Sequence, residues 1–327
     1  MPDCSVEADR LVKVYPGGIR AVDGVSFCIR RGEVFSLLGP NGAGKTTTVR
    51  MLATLARPTA GDARIEGYSI VREPDKVRRV IGLVPQDLTS DDEMTGFDNV
   101  VIQARLYGLP RGEARRKARE VLEQVGLWEA AHRKVATYSG GMRRRLEIAM
   151  SLVNDPRVIF LDEPTLGLDV QSRRSLWELV RSLKKSGVTI LLTTHYMEEA
   201  DQLSDRVAII DRGRIIAEGT PDELKARLGG ERIHVKLASP EEARALAERL
   251  AGEGWKARQV GLEVVVTVEN AAQALPRLAP LLSGALEIRV ARPNLEEVFL
   301  ELTGRHLREE EPLDAFRARV LARRLRR

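Results

Sequence analysis

The stretch from residue 39 to residue 47 reads GPNGAGKTT, and it decides the fold of this chain of 327 residues. It matches the pattern G-x-x-x-x-G-K-[ST] of a phosphate-binding loop, and the helix-like segment TTTVRMLATLA follows from residue 46 to residue 56. The glycines let backbone N–H groups surround phosphate oxygens, the lysine reaches the terminal phosphates, and the next threonine offers its hydroxyl to Mg²⁺. The predicted nucleotide-binding residues of this loop are Gly39, Pro40, Asn41, Gly42, Ala43, Gly44, Lys45, Thr46 and Thr47.

Five short apolar runs, at residues 34–38, 80–85, 158–161, 188–194 and 207–210, indicate strands of a parallel sheet buried on both faces. Ligands of such sheets bind at the carboxyl ends of the strands, so the polar residues that follow these runs should meet near the loop. We expect Asp162 to hold Mg²⁺ and Glu163 to polarise an attacking water, as in a nucleoside triphosphatase. The residues predicted to converge there are Gln86, Asp162, Glu163 and His195.

The composition is that of a soluble protein with a net charge of +5 and a pI of about 9.3, which permits an anionic partner without identifying one. The N-terminal segment has no apolar signal core, and no run reaches the roughly 18 apolar residues that span a bilayer, so any membrane role is expected to be peripheral. Cys4 and Cys28 form no CxxC or Cys/His pattern, which excludes a zinc ribbon or a disulfide framework and fits a reducing cytosol. We predict that both are free thiols.

The chain divides into three predicted parts. Residues 1–228 form an α/β nucleoside triphosphatase domain, into which a helical subdomain is inserted at about residues 87–154. Residues 229–308 have the order βαββαβ of a ferredoxin-like α+β domain, and only Trp255 is aromatic in its strands, so accessory or dimerisation roles are favoured over RNA binding. Residues 309–327 form a basic amphipathic tail, for which a membrane-surface helix and a helix packed on protein are both open.

A second glycine pair lies in YSGGM, residues 138–142. Ser139 is a predicted N-cap, but Met142 stands where a capping box would have Glu or Gln, so no carboxylate covers this helix end. Three arginines follow, and the free N–H groups of Ser139, Gly140 and Gly141 therefore favour an anion from outside, such as a phosphate held by another copy.

These motifs, with VIFLDEP, GLD and TTH in the same order, resemble the nucleotide-binding subunits of ABC transporters from about residue 6 to residue 225. The resemblance implies two subunits paired head to tail, with ATP between the phosphate loop of one and the Ser-Gly-Gly turn of the other. It further implies that Tyr15 stacks on adenine, Gln86 senses Mg²⁺ and links the site to the transport subunit, His195 touches the γ-phosphate and Asp169 acts across the dimer.

Three positions depart from the superfamily pattern. Tyr138 and Met142 stand where Leu and Gln are usual, and Leu166 stands where Ser or Thr is usual. The form YSGGMRRRLEIA is, however, typical of the daunorubicin-resistance-type drug exporters, which DDEMTGFDNV and RPNLEEVFLELTGR also resemble.

The resemblance predicts the ATP-hydrolysing subunit of a membrane exporter, a homodimer on the cytoplasmic face of the cell membrane, with ATP and Mg²⁺ as cofactors. A separate integral-membrane permease would carry a hydrophobic drug or lipid-like compound, and no nucleic acid partner is expected. The alternative is a soluble ABC ATPase acting on nucleic acid or the ribosome, but the long coiled-coil insertion or tandem cassette of those proteins is missing. A P-loop kinase or GTPase would have no reason to contain YSGGM or His195.

Overall fold

The computed structural model describes residues 4–291 and 294–303 of the chain. The predicted tail at 309–327 and the last residues of the predicted accessory domain lie outside these ranges. Among the helices of the described ranges, none combines the length and the apolar character needed to cross a membrane.

A six-stranded sheet forms the centre of the structure and confirms the prediction from the apolar runs. Its strand order is β10-β9-β3-β8-β7-β6, and all neighbours are parallel except β10 and β9. The three middle strands β3, β7 and β8 are buried at every residue, which explains their continuous apolar sequences. The strands are β3 Val34–Leu38, β6 Ile81–Val84, β7 Val158–Asp162, β8 Thr189–Thr194, β9 Arg206–Asp211 and β10 Arg214–Gly219.

A second, antiparallel sheet precedes and flanks this centre, and the sequence reasoning did not predict it. Its strands are β1 Cys4–Tyr15, β2 Ile19–Arg30, β4 Ala60–Ile65 and β5 Tyr68–Ser69, in the order β2-β1-β4-β5. Buried and exposed residues are interspersed along β1 and β2, so these strands lack the continuous apolar runs of the central sheet. The rings of Phe27 and Phe35 stack 5.3 Å apart and join the two sheets.

Helices cover the central sheet and form the predicted helical part. In that part, α3, α4 and α5 pack around Val121, Leu122 and Leu146, which are at most 1% exposed and belong to the predicted apolar stripes. The helices are α1 Lys45–Leu52, α2 Pro74–Val80, α3 Gly96–Leu106, α4 Arg111–Gln124, α5 Gly140–Ser151, α6 Val170–Lys185, α7 Met197–Leu203 and α8 Pro221–Ala226.

The chain after α8 forms a third sheet with the element order βαββαβ. The four strands are antiparallel and lie in the order β12-β13-β11-β14, with Ile233, Val235 and Leu246 in the core between sheet and helices. The elements are β11 Glu231–Lys236, α9 Pro240–Gly252, β12 Lys256–Val260, β13 Glu263–Val268, α10 Ala271–Leu278 and β14 Glu287–Ala291.

A last helix, α11 Leu295–Thr303, returns to the first part of the chain. It packs against α7 and α8, where Leu295, Val298 and Phe299 are at most 2% exposed. Their cluster contains Leu38, the residue that leads into the phosphate loop. The division of the chain at residues 228 and 229 stays a prediction, because α11 belongs by sequence to the second part and by packing to the first.

The prediction of two free thiols is wrong. Cys4 in β1 and Cys28 in β2 form a disulfide, with their sulfurs 2.12 Å and their Cα atoms 5.7 Å apart. The two strands pair antiparallel, which brings residues separated by 24 positions to the distance that a disulfide requires. The pair was not predicted, because neither the antiparallel strands β1 and β2 nor the turn between them was predicted.

We expect reduction of this disulfide to lower the free energy of unfolding. Closing a loop of this length restricts the unfolded chain, and in the chain-entropy model the effect is about 3 kcal/mol. Urea unfolding with and without dithiothreitol measures it, and a variant with Cys4→Ser and Cys28→Ser, insensitive to the reductant, is the control. Two titratable thiols in the untreated protein, with no effect of reductant, would contradict the pairing.

Candidate functional site

The phosphate loop lies between β3 and α1, and two of its glycines are required by close backbone approaches. A Cβ atom at Gly39 would lie 2.2 Å from the carbonyl oxygen of Ile210, and one at Gly44 would lie 2.5 Å from that of Ala21. Gly44 also has a φ of 107°, a conformation that residues with a Cβ rarely adopt. The loop backbone is thus fixed by the central sheet on one side and by β2 on the other.

Lys45 is almost completely buried at the start of α1. Its Nζ atom donates to the carbonyl oxygens of Gly39, at 2.8 Å, and Pro40, at 3.1 Å, and lies 3.0 Å from Oε1 of Glu163. A buried ammonium group needs such partners because its desolvation is costly. The loop therefore holds one cation beside the carboxyl end of β7.

Asp162 ends β7 and faces the first turn of α1. Its Oδ1 accepts hydrogen bonds from the hydroxyls of Thr46, at 3.2 Å, and Thr193, at 2.5 Å. Burial raises the pKa of Asp162, and the two hydroxyl donors offset part of that increase. Within the described residues no three His, Cys, Asp or Glu side chains form a metal cluster. A hydroxyl beside a single carboxylate nevertheless fits Mg²⁺, which binds few protein oxygens and takes the rest from phosphate and water.

Glu163 follows with a left-handed backbone, at φ 48°. Its N–H group donates to the carbonyl and the hydroxyl oxygen of Thr193, which stabilises this unusual conformation. Oε2 lies 2.9 Å from Nδ1 of His195, and Oε1 faces Lys45. Burial acts to raise the pKa of Glu163, but the contacts with His195 and Lys45 outweigh it, and the pKa lies below its ordinary value. The carboxylate is therefore ionised and held between two nitrogen groups.

Gln86 lies at the exposed beginning of the segment after β6. Arg144 of α5, itself 5% exposed, donates to the carbonyl oxygens of Pro85, at 2.7 Å, and Gln86, at 2.8 Å. Glu147, one turn later, accepts from the N–H groups of Thr89 and Ser90. The helix that begins at the Ser-Gly-Gly turn thus fixes the backbone around Gln86.

Ser139 caps α5 as predicted, because its hydroxyl accepts from the N–H group of Met142 at 3.2 Å. A Cβ atom at Gly141 would lie 2.6 Å from Oγ of Ser172, and Ser172 donates both its N–H and its hydroxyl to Asp169. These hydrogen bonds lower the pKa of Asp169. The turn of residues 139–141 and the turn at Asp169 therefore touch within one chain.

Tyr15 and the Ser139 turn stand apart from the group around Lys45 and Glu163. Tyr15 ends β1, is half-buried, and has the Nζ atom of Lys13 5.3 Å from its ring centroid. Among the described hydrogen bonds, none joins the Ser139 turn to the phosphate loop of the same chain. Within one copy, the structure brings together Lys45, Thr46, Asp162, Glu163 and His195. Among the described contacts, Gln86 is held through its backbone by Arg144, and its predicted place beside the two acids stays a prediction.

Comparison with known proteins identifies the family. Residues 22–166 match the family model described as ABC transporter. A daunorubicin/doxorubicin resistance ATP-binding protein of Streptomyces peucetius is 45% identical over 315 residues, which cover 93% of each chain. The chain belongs to the ABC transporter family, as an ATP-binding subunit. A linearmycin resistance ATP-binding protein of Bacillus subtilis is 40% identical over 312 residues, covering 93% of this chain and 100% of the relative.

Solved structures agree with this assignment of the ATP-binding subunit. A dimeric ATP-binding cassette in a post-hydrolysis state, bound to ADP and Pi, has a TM-score of 0.60 and 28% identity. The match covers 66% of the ATP-binding subunit and 98% of that cassette. The predicted ABC-type core and the prediction of an ATPase are therefore confirmed, and the alternative of a nucleic-acid or ribosome ATPase is not favoured.

Sequence reasoning missed several polar residues of this ATP-binding subunit. Thr193 contacts both acidic residues, and Arg144 and Glu147 fix the segment around Gln86. Glu199 is fully buried, accepts from the indole N–H of Trp177, and has its pKa raised by burial. The arginine run next to Ser139 and the three acids in MEEAD were visible signals, whereas threonine in a strand is too common to indicate a site.

We expect Thr193→Val to destabilise the ATP-binding subunit, since it removes the hydroxyl that donates to Asp162 and accepts from the Glu163 N–H group. Loss of such a buried partner should lower the free energy of unfolding by about 1–3 kcal/mol in urea titrations. Thr193→Ser keeps the hydroxyl and serves as the control. Equal stability of the valine variant and the wild type would show that the hydroxyl does not support the strand end.

Proposed function

We propose that the chain is the ATP-hydrolysing subunit of an ABC exporter, in which two copies bind ATP between them and drive a separate integral-membrane permease. The observation that carries the hydrolytic role is the position of Glu163. Its carboxylate lies 3.0 Å from Lys45 and 2.9 Å from His195, at the carboxyl end of a central strand. A fixed, ionised carboxylate beside a phosphate loop can orient and polarise an attacking water.

The other side chains have complementary roles in this proposal. Lys45 and the loop N–H groups bind the β- and γ-phosphates, and His195 contacts the γ-phosphate from the end of β8. Tyr15 stacks on adenine. Thr46 and Asp162, together with Gln86, hold Mg²⁺. The ion supplies neutralisation of phosphate charge when it is bound, and the protein contributes mainly positioning.

The Ser139 turn would complete the site of the second copy. Its helix N-terminus has no acidic residue in the first turn, and Arg143 follows it, paired with Asp92 at 2.6 Å. Helix N-termini of this kind favour phosphate oxygens. Gly141 lies against Ser172, and Ser172 donates to Asp169. A γ-phosphate bound at this turn would therefore affect Asp169, the residue proposed to act across the dimer.

An apolar groove is the proposed docking surface for the permease. It has a volume of about 360 Å³ and is lined in part by Leu55, Leu83, Leu106 and Tyr107, of which Leu106 is 77% exposed. Exposed apolar patches with polar rims commonly bind other proteins. Leu83 belongs to β6, the strand that leads to Gln86, so an apolar segment of the permease bound here would lie close to the hydrolytic site.

The proposed cargo is a hydrophobic drug or lipid-like compound moved outward. This follows from the relatives, which are named for resistance to daunorubicin, doxorubicin and linearmycin. The ATPase would then act at the cytoplasmic face of the cell membrane, held there by the permease.

The test of the trans site is the sedimentation of a Glu163→Gln variant with and without ATP. The amide keeps the shape of the side chain but cannot act as the base, so we expect an ATP-dependent increase in sedimentation coefficient as two copies close around ATP. Addition of Ser139→Arg to this variant should leave ATP binding intact and prevent the increase. Lys45→Ala should weaken ATP binding itself.

Two outcomes of these experiments would contradict the proposed roles of the Ser139 turn and of Glu163. If Ser139→Arg and Lys45→Ala weaken ATP binding equally, the Ser139 turn does not belong to a second copy. If Glu163→Gln hydrolyses ATP at the wild-type rate, Glu163 does not have the proposed role.

The docking surface is tested by Leu106→Asp, which places a charge in the apolar groove. We expect the isolated subunit to hydrolyse ATP at an unchanged rate, because Leu106 lies outside the nucleotide site. Copurification with the permease from membranes should fall by about tenfold or more, as expected for a charge buried in an apolar contact. Ile216→Asp, at an exposed apolar residue of β10, is the matched control and should copurify normally. Equal recovery of both variants would contradict this surface.

A further inference from the structure

Strand β14 forms one edge of the C-terminal sheet. It pairs with β11 on one side, and in the described part of the chain no strand pairs with its other side. An edge strand presents a row of backbone N–H and C=O groups to which another strand can bind.

The edge carries apolar side chains on one face. Ile288 lies opposite Val235 and Val290 lies opposite Ile233, and those two partners are completely buried in the core of this sheet. Residues directly opposite each other share a face. Yet Ile288 is 46% exposed and Val290 43% exposed, and Leu286, just before the strand, is 67% exposed. The core face of the sheet thus continues past the part that the helices cover.

The opposite face of the same strand carries one acid and one base. Glu287 and Arg289 are both exposed, and they flank Ile288 on either side. Within the described residues, neither forms an ion pair. Within the sheet Glu287 lies opposite Lys236 and Arg289 lies opposite His234, so the free edge presents one charge of each sign, two residues apart.

The arrangement is complementary to itself. When two copies of β14 pair antiparallel with Ile288 opposite Ile288, Glu287 of each copy faces Arg289 of the other. Leu286 of each copy then faces Val290 of the other on the apolar face. Moving the register by one residue in either strand places apolar side chains opposite charged ones, because successive side chains point to opposite faces. Shifts of two residues keep the faces matched but bring Arg289 opposite Arg289, or Glu287 opposite Glu287.

We propose that β14 is a dimerisation edge for a second copy of this chain, joining the two C-terminal sheets into one continuous eight-stranded sheet. Opposite charges across an antiparallel pair stabilise it and like charges destabilise it, so Glu287 and Arg289 select the register. This contact does not depend on the nucleotide site, and it would hold two subunits together whether or not ATP is bound. It also gives the predicted dimerisation role of residues 229–308 a specific surface.

Sedimentation of the full-length protein without nucleotide tests the proposal by charge reversal. We expect concentration-dependent dimers of the wild type. Glu287→Arg leaves two facing pairs of arginines and Arg289→Glu leaves two facing pairs of glutamates, so each should raise the dimer dissociation constant by about tenfold or more. The variant with both changes restores opposite charges and should dimerise as the wild type does.

Mixing the two single variants provides a sharper control. In a mixed dimer every facing pair again has opposite charges, so an equimolar mixture should recover the dimers that neither variant forms alone. Unfolding of the variants would not give this recovery, and ATP hydrolysis by each variant confirms that it is folded. Monomeric wild-type protein at all concentrations, or equal dimerisation of all variants, would overturn the proposal.

A disulfide cross-link between two copies tests the register of the β14 pair directly. Ile288→Cys should give a disulfide-linked dimer under mild oxidation, because the proposed pairing places residue 288 opposite its own copy. Leu286→Cys and Val290→Cys should cross-link poorly alone and well when the two are mixed. Strong linkage of either one alone would contradict the register.

The ATP-dependent dimer can be measured separately in a Glu163→Gln/Glu287→Arg variant, in which the β14 contact is weakened. If that variant forms dimers with ATP, but the wild type forms none without nucleotide, only the β14 proposal is overturned. If the wild type forms dimers without nucleotide, but the variant forms none with ATP, only the trans nucleotide site is overturned.

Discussion

The buried contact between Lys45 and Glu163 is the constraint around which the site is organised. It joins the phosphate loop to the end of β7 and places a cation and an anion, each almost without solvent exposure, 3.0 Å apart. Neither charge could be buried alone, since an unpaired ion in a protein interior is strongly destabilising. The loop conformation, the strand ends and the neighbouring His195 are therefore fixed together, and a phosphate entering the loop must redistribute this pair.

The helical part of the chain is tied to the same centre by polar contacts. Arg144 lies one turn beyond the Ser139 cap and holds the backbone at Gln86, so one helix connects the turn proposed for a second copy with the segment proposed to face the permease. A displacement of that helix would move both. If Gln86 faces the permease as proposed, the two hydrogen bonds from the buried Arg144 side chain give a direct structural route between ATP binding and that partner.

The central sheet could be predicted because strands buried on both faces have continuous apolar sequences. The fixed spacing of the motifs also predicted that Lys45, Asp162, Glu163 and His195 lie together, whereas their catalytic roles stay predictions. Long-range relations were not predictable in the same way. The pairing of Cys4 with Cys28 depends on an antiparallel sheet whose strands lack such runs, and Thr193 acts through a hydroxyl that strand residues often carry. Nothing local to α11 indicates which surface it packs on.

The return of α11 has a consequence for how the chain can be shortened. Phe299 is buried in the cluster that contains Leu38, and Leu38 immediately precedes the phosphate loop. A fragment ending near residue 228 would include every motif of the ATP-binding cassette and still uncover an apolar surface behind its own active loop. Exposed surface of this kind promotes aggregation. A soluble form of the ATP-binding cassette therefore has to include α11, although α11 lies beyond the last motif.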